Sequence, residues 1–147
     1  MEKAGLTMAD KFTKEKRSEI MSKVRSEDTK PEIKVRKLLH SMGYRFRLHR
    51  HDLPGKPDIT LPKYKTVVFV NGCFWHGCPT CRHAHVRPRQ NAEYWNRKLD
   101  RNMQRDRENY AKLADMGWRV VVVWECETKD KNIAALRERL KSELTLP

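Results

Sequence analysis

The stretch Asp58-Ile-Thr-Leu-Pro-Lys-Tyr-Lys-Thr-Val-Val-Phe-Val-Asn-Gly-Cys-Phe-Trp-His-Gly-Cys78 decides how this 147-residue chain is read. Asp58 to Leu61 reads as a short strand, Pro62-Lys63-Tyr64 as a tight connection, and Thr66 to Val70 as an apolar, β-branched strand. Strands joined this closely pair as a hairpin, and an unbroken apolar run belongs in the centre of a sheet, covered on both faces. Asp58 then falls at one end of the hairpin, opposite Val70 and Asn71. From Gly72 to Gln90 the chain is rich in Cys, His, Arg and Pro and has little periodicity, so that loop is organised by something other than a hydrophobic core.

Upstream, Thr29-Lys-Pro-Glu32 is a capping box with proline in the first turn, and Val35, Leu38, Leu39 and Met42 follow at helical spacing until Gly43. Tyr44 to Leu48 alternates apolar residues with arginine and predicts a first strand, ended by Leu53-Pro-Gly-Lys-Pro57. Downstream, Asn91 to Asp115 predicts a long charged helix carrying Trp95, Leu99, Met103, Tyr110 and Leu113 on or near one face, stopped by Gly117. Trp118 to Trp124, with four consecutive valines, reads as a buried strand in the parallel or mixed part of the sheet, and a last helix spans about Lys131 to Leu144. The core order is therefore helix, three strands, helix, strand: an α/β fold with a mixed sheet flanked by helices. Residues 1–12 read as a loose N-terminal arm, a short helix follows from about Thr13 to Val24, and a single domain occupies 13–147.

With 32 Lys+Arg against 19 Asp+Glu the net charge is +13, and the excess is spread through the chain. Between Ile33 and Ala92 there are twelve Lys or Arg and only two acids, Asp52 and Asp58. Such a surface points to a polyanion, nucleic acid first, and an acid kept inside it has a task there or is a turn residue. No apolar run approaches the ~20 residues that cross a bilayer. The opening residues, Met1 to Lys16, lack the hydrophobic stretch of a secretory signal, so a cytoplasmic home is expected.

In a reducing compartment, Cys73, Cys78 and Cys81, spaced C-x4-C-x2-C, are expected to bind zinc, or to stay as reduced core or surface thiols, rather than form disulfides. Cys126, just past the valine strand, supplies a fourth thiolate if the fold returns it there; His76, His83 and His85 compete for that position. Four thiolates close the coordination sphere, which makes such a zinc structural. Asp58 suits a hard divalent ion such as Mg2+, with phosphate oxygens supplied by DNA, or simply starts a strand. Glu32 is its neighbour there or only the partner of Thr29 in the cap. His76 is placed to take a proton from water, or is a spare metal ligand or a stacking residue. Phe74, Trp75 and Trp95 either wedge between base pairs or form a small satellite core on the zinc site.

The run Phe69 to Cys78, with Leu53-Pro-Gly-Lys-Pro-Asp58 before it and Glu93-Tyr-Trp95, Asn102, Arg105-Asp106, Gly117-Trp-Arg-Val120 and Trp124-Glu-Cys126 after it, resembles the very short patch repair endonucleases. The likeness runs from about residue 13 to the C-terminus. It implies a restriction-endonuclease-like fold and an Mg2+-dependent enzyme with a structural zinc. Such an enzyme nicks double-stranded DNA 5′ of the T in a T·G mismatch left by deamination of 5-methylcytosine. It further implies that Asp58 and the Val70 carbonyl hold Mg2+, that His76 activates the attacking water, and that Glu32 lies near the metal waters. Phe74, Trp75 and Trp95 become the wedge, and Cys73, Cys78, Cys81 and Cys126 the zinc ligands, Cys78 standing where well-known members have histidine. Asn71 is a departure, since those members carry a second active-site histidine at that position and asparagine accepts no proton at neutral pH. The superfamily's E-x-K is also replaced, by Phe69-Val-Asn71. Implied partners are mismatched duplex DNA, a cytosine-5 methyltransferase and mismatch-repair proteins, with a monomer sufficient for nicking. Two rivals remain: a zinc-stapled DNA-binding module that does not cleave, kept open by Asn71, and a nuclease of the same fold acting on unmismatched sites.

Overall fold

The computed structural model describes residues 28–81 and 87–146. The expected arm, the helix from Thr13 to Val24, and the candidate ligands His83 and His85 lie outside the described residues. Helix α1 (Lys30–Ser41) begins at the expected box: the Thr29 hydroxyl accepts from the Glu32 amide at 3.4 Å while the Glu32 carboxylate accepts from the Thr29 amide, also at 3.4 Å. Strands β1 (Arg47–Leu48), β2 (Ile59–Leu61), β3 (Thr66–Asn71) and β4 (Arg119–Trp124) form one sheet in the order β1-β2-β3-β4. The β2–β3 hairpin is antiparallel and central, pairing Ile59 with Val68 and Leu61 with Thr66. β4 joins β3 in parallel, Thr66 opposite Arg119 through Asn71 opposite Trp124. Between β3 and β4 run a one-turn helix α2 (Cys73–His76) and the long helix α3 (Ala92–Asp115); α4 (Ile133–Glu143) follows β4.

Alternation along β3 and β4 sorts the core into two layers. Val68, Val121 and Val123 face one side with Ile59 and Leu61, where Val35 and Leu39 of α1 and Leu136 and Leu140 of α4 cover them. Val67 and Phe69 face the other side, against Leu113 of α3 and Trp118. Each such side chain taken fully out of water contributes roughly 1.5–3 kcal/mol. At the end of α3, the Gly117 amide bonds to Ala114 and the Trp118 amide to Leu113, both at 3.0 Å, and Gly117 takes φ +90°, which a side chain would resist. The turn sends the chain straight into β4.

Four expectations need correction. β1 has two residues, not five, because β2 is only three long before Pro62, while Tyr44 and Phe46 turn into the core instead. β4 is not buried on both faces: it ends the sheet, and only Val121 and Val123 are fully covered. The cysteine-rich loop opens with the turn of helix α2, closed where the Gly77 amide returns to the Cys73 carbonyl at 3.1 Å. The last helix starts at Ile133, after two short 3-10 turns.

Candidate active site

The C-terminal ends of β3 and β4, the start of β2 and the face of α3 enclose a cleft lined by Glu32, His49, Lys56, Asp58, Asn71, His76, Asp106 and Glu125, among others. Asp58 precedes β2 by one residue, and its Oδ2 accepts from the Val70 amide at 2.7 Å, which fixes the carboxylate at the neck of the hairpin. Burial pushes the Asp58 carboxyl up to about 7 despite that hydrogen bond, and the neighbouring Glu32 charge adds to the rise.

Glu32 is 2 % exposed and reaches the cleft from α1. Its Oε2 takes the Thr29 hydroxyl at 3.0 Å, and its Oε1 takes the Asp28 amide at 3.3 Å and the Arg36 guanidinium at 3.4 Å. Cap and site are therefore the same residue. His49, which the sequence reading passed over, brings a nitrogen within 4.8 Å of carboxylate oxygens of both Glu32 and Asp58. It is held there because its amide donates to the Asp58 carbonyl across the β1–β2 ladder at 3.3 Å. This donor set suits a divalent cation: two carboxylates pressed together out of water repel each other, and an ion between them removes that cost.

Across the cleft, His76 ends α2 and its Nδ1 lies 2.6 Å from Asp106 Oδ2 on α3. With Nδ1–H donated to the carboxylate, Nε2 keeps its lone pair. His76 is thus engaged away from the cysteines. Asn71 is 5 % exposed and gives its Nδ2 hydrogen to the Tyr110 hydroxyl at 2.8 Å. Burial pushes Tyr110 up to about 12, so this pair stays neutral.

Cys73, Cys78 and Cys126 converge with their sulfurs within 4.8 Å of one another, so β4 does carry Cys126 back to the loop. Cys81 packs against the same cluster, and its amide donates to Cys78 Sγ at 3.3 Å. The Cys78–Cys126 sulfur separation is 3.8 Å, far beyond a disulfide and equal to the edge of a tetrahedron with ~2.3 Å zinc–sulfur bonds. Burial raises the Cys73 thiol and pushes Cys126 up to about 11. Cys78 is lowered, because donors from Thr80 and Cys81 outweigh its burial. Thiols gathered this closely fit a thiophilic metal.

Phe74, Trp75 and Trp95 touch one another, with ring centroids 5.3 to 6.0 Å apart. Trp95 is 9 % exposed and backs the other two, which remain half-buried, Trp75 at the cleft wall. Helix α3 holds their helix in place: Asn102 donates to the Trp75 carbonyl at 3.3 Å and the Met103 side chain fills the space beneath Gly77.

A mixed four-stranded sheet between helices, with an acid at the central hairpin facing a His–Asp pair on a strongly basic chain, is the arrangement of a nuclease of restriction-endonuclease-like fold, and its acidic end could hold a divalent cation. The fold agrees with the solved homing endonuclease I-Bth0305I catalytic domain at a TM-score of 0.54 and 19 % identity, over 78 % of this chain and 93 % of that one. The family model for DNA mismatch endonuclease Vsr matches residues 9–82. The type II nicking enzyme V.XorIIP of Xanthomonas oryzae pv. oryzae is 50 % identical over 93 % of this chain and 98 % of its own length. The DNA mismatch endonuclease Vsr of Escherichia coli is 37 % identical over 91 % of this chain and 86 % of its own. The chain belongs to the Vsr family of DNA mismatch endonucleases and is a strand-nicking DNA hydrolase, so the reading as a module that does not cleave is set aside.

Proposed function

We propose that this endonuclease nicks duplex DNA 5′ of the T in a T·G mismatch arising from 5-methylcytosine deamination, using Mg2+ and a structural zinc. The observation that carries the reading is that helix α2 bears Phe74, Trp75 and His76 in succession, with His76 on Asp106 and Trp75 in the same cleft as Asp58. Asp58 and the Val70 carbonyl would hold the ion, and Glu32, fixed by Thr29, would order water beside it. A divalent ion held there would supply Lewis-acid polarisation of the phosphate and offset its charge. His76 Nε2 takes the proton of the attacking water as its oxygen bonds phosphorus and one P–O ester bond breaks. Asp106 keeps the imidazole in the tautomer that can do this. Asn71, committed to Tyr110, transfers no proton; one base suffices. Phe74 and Trp75, backed by Trp95, insert at the mismatch, where unstacking costs least. The remaining parts of the reading are a monomer, at work in the cytoplasm on nucleoid DNA. It is linked there to a cytosine-5 methyltransferase and to mismatch-repair proteins.

The test is Mg2+-dependent nicking of matched and T·G oligonucleotide duplexes. Wild type is expected to cut only the T·G strand, and Trp75→Ala to lose binding to T·G more than to matched duplex while remaining folded. Equal cutting of matched duplex would favour the unmismatched-site reading. A Trp75→Ala variant that melts early with unchanged mismatch preference would return the aromatics to a structural role.

Freshly purified protein is expected to hold about one zinc per chain, as a closed tetrahedral site requires. Cys126→Ala should lose that metal and about several kcal/mol of stability, since metal binding here is part of folding. Elemental analysis and thermal melting check both, and a variant with normal zinc content would hand the fourth position to a histidine.

A further inference from the structure

The cleft has an imbalance that the reading above does not resolve. Its described walls carry four carboxylates, Glu32, Asp58, Asp106 and Glu125, and one Lys or Arg, Lys56. The strand facing Asp58, Thr66–Asn71, contributes no cation of its own. Arg36 lies outside the walls and is spent on Asp28 at 2.7 Å and Glu32 at 3.4 Å. A phosphodiester entering here meets like charge on most sides, and one bound divalent ion offsets only part of it.

Lys56 is placed for this at a conformational cost. Leu53-Pro-Gly-Lys56 is a turn closed by the Lys56 amide on the Leu53 carbonyl at 3.1 Å, with proline second and Gly55 at φ +75° third, the residues a type II turn needs. Gly55 is pressed onto Asn109 of α3, where an added Cβ would lie 3.1 Å from the side chain. Lys56 itself is left-handed, φ +50°, and precedes the buried Pro57. That conformation is unfavourable for any residue with a Cβ, and a following proline favours extended backbone instead. Glycine would fit better, yet the position holds an exposed lysine with no ion pair among the described residues. Strain of this kind persists where the side chain has work to do.

We infer that Lys56 is a further catalytic residue: its ammonium contacts a non-bridging oxygen of the scissile phosphate and balances the charge that grows there as water attacks. It remains protonated throughout; the proton of the water goes to His76, and the leaving ester oxygen takes one from solvent. This inference rests on the proposed reaction at Asp58 and His76.

The test uses the full chain in its zinc-loaded form with Mg2+, in single-turnover nicking at saturating protein, on whichever duplex wild type cuts. Lys56→Gly and Lys56→Met are expected to lose roughly 10²- to 10³-fold in rate, the usual loss for one transition-state contact, with affinity for the duplex changed only a few-fold. Lys56→Arg should recover most of the rate. Lys56→Gly should melt at or above the wild-type temperature, the opposite of what a structural lysine would show. A folded Lys56→Gly variant that nicks within about threefold of wild type overturns the inference, as do Gly and Arg variants that are equally slow, or a loss of binding as large as the loss of rate. Wild type silent on every duplex would instead overturn the proposed reaction, and this inference with it.

Discussion

Asp58→Asn is expected to abolish nicking and, in buffer without divalent cations at pH 8, to raise the melting temperature. Asparagine keeps an oxygen for the Val70 amide, now 2.7 Å from Oδ2, so the neck of the hairpin is preserved. What it removes is a charge that the folded protein accommodates badly: burial, with Glu32 alongside, pushes the Asp58 carboxyl up to about 7. An unfolded chain would ionise the same group near ~3.9. The folded state therefore binds this proton more tightly. The stability that the proton lends is complete below about pH 4 and is lost as pH rises through about 7. By pH 8 the ionised group costs the ion-free fold on the order of 4 kcal/mol relative to a neutral one. The variant should accordingly melt above wild type at pH 8 and level with it near pH 4. Added Mg2+ should stabilise wild type and leave the variant unmoved. For wild type, the ion must displace the proton, so half-maximal Mg2+ should rise about tenfold for each pH unit below 7. Mg2+-dependent cleavage by Asp58→Asn would show that another group anchors the ion, and a lower melting point at pH 8 would show that the carboxylate is structural.

The features legible in the sequence are those written locally. The α1 box needed only Thr29 and Glu32, three residues apart, and the central hairpin needed the run from Asp58 to Asn71. The return of Cys126 was legible because thiols in a C-x4-C-x2-C cluster need a fourth ligand and a strand end is a place to find one. The length of β1 was not legible, since it depends on how far β2 extends before Pro62 and on Tyr44 and Phe46 finding the core. Nor were the roles of His49 and Asp106. His49 stands among Arg47, Arg50 and His51 in a basic segment with no pattern to separate them, and only the pairing of β1 with β2 brings it to Asp58. Asp106 is one of many charges on α3, distinguished solely by facing α2. A signal did exist for it in the resemblance, where Arg105-Asp106 was among the matching residues, but residue type alone gives one acid on a highly charged helix no role. Asn71 lines the cleft, but its contact with Tyr110 was not legible, because Tyr110 lies on a helix 39 residues further along the chain.

His76→Ala is expected to lower single-turnover nicking by roughly 10²- to 10⁴-fold, the range for loss of a general base. Asp106→Ala should lower it by no more than His76→Ala does, since a carboxylate that only orients the imidazole acts through it. The geometry makes the two losses dependent on each other. At 2.6 Å the carboxylate fixes both the ring and the tautomer, so all that Asp106 contributes passes through His76. The double variant should therefore be no slower than His76→Ala alone, the non-additivity shown by residues that act as a unit. Losses that multiply would mean that Asp106 works independently, for instance on metal waters in the same cleft, and a His76→Ala loss of only a few-fold would move the base elsewhere. Duplex affinity separates this from a packing defect. His76 closes the one-turn helix that carries Phe74 and Trp75, and that helix is also held by Asn102 and Met103. If those contacts are enough to keep the wedge in place, both single variants should bind a T·G duplex as wild type does while cutting it slowly. On the proposed reading, the mismatch would then be recognised without the proton transfer, the aromatic pair meeting the bases and only the imidazole meeting the water.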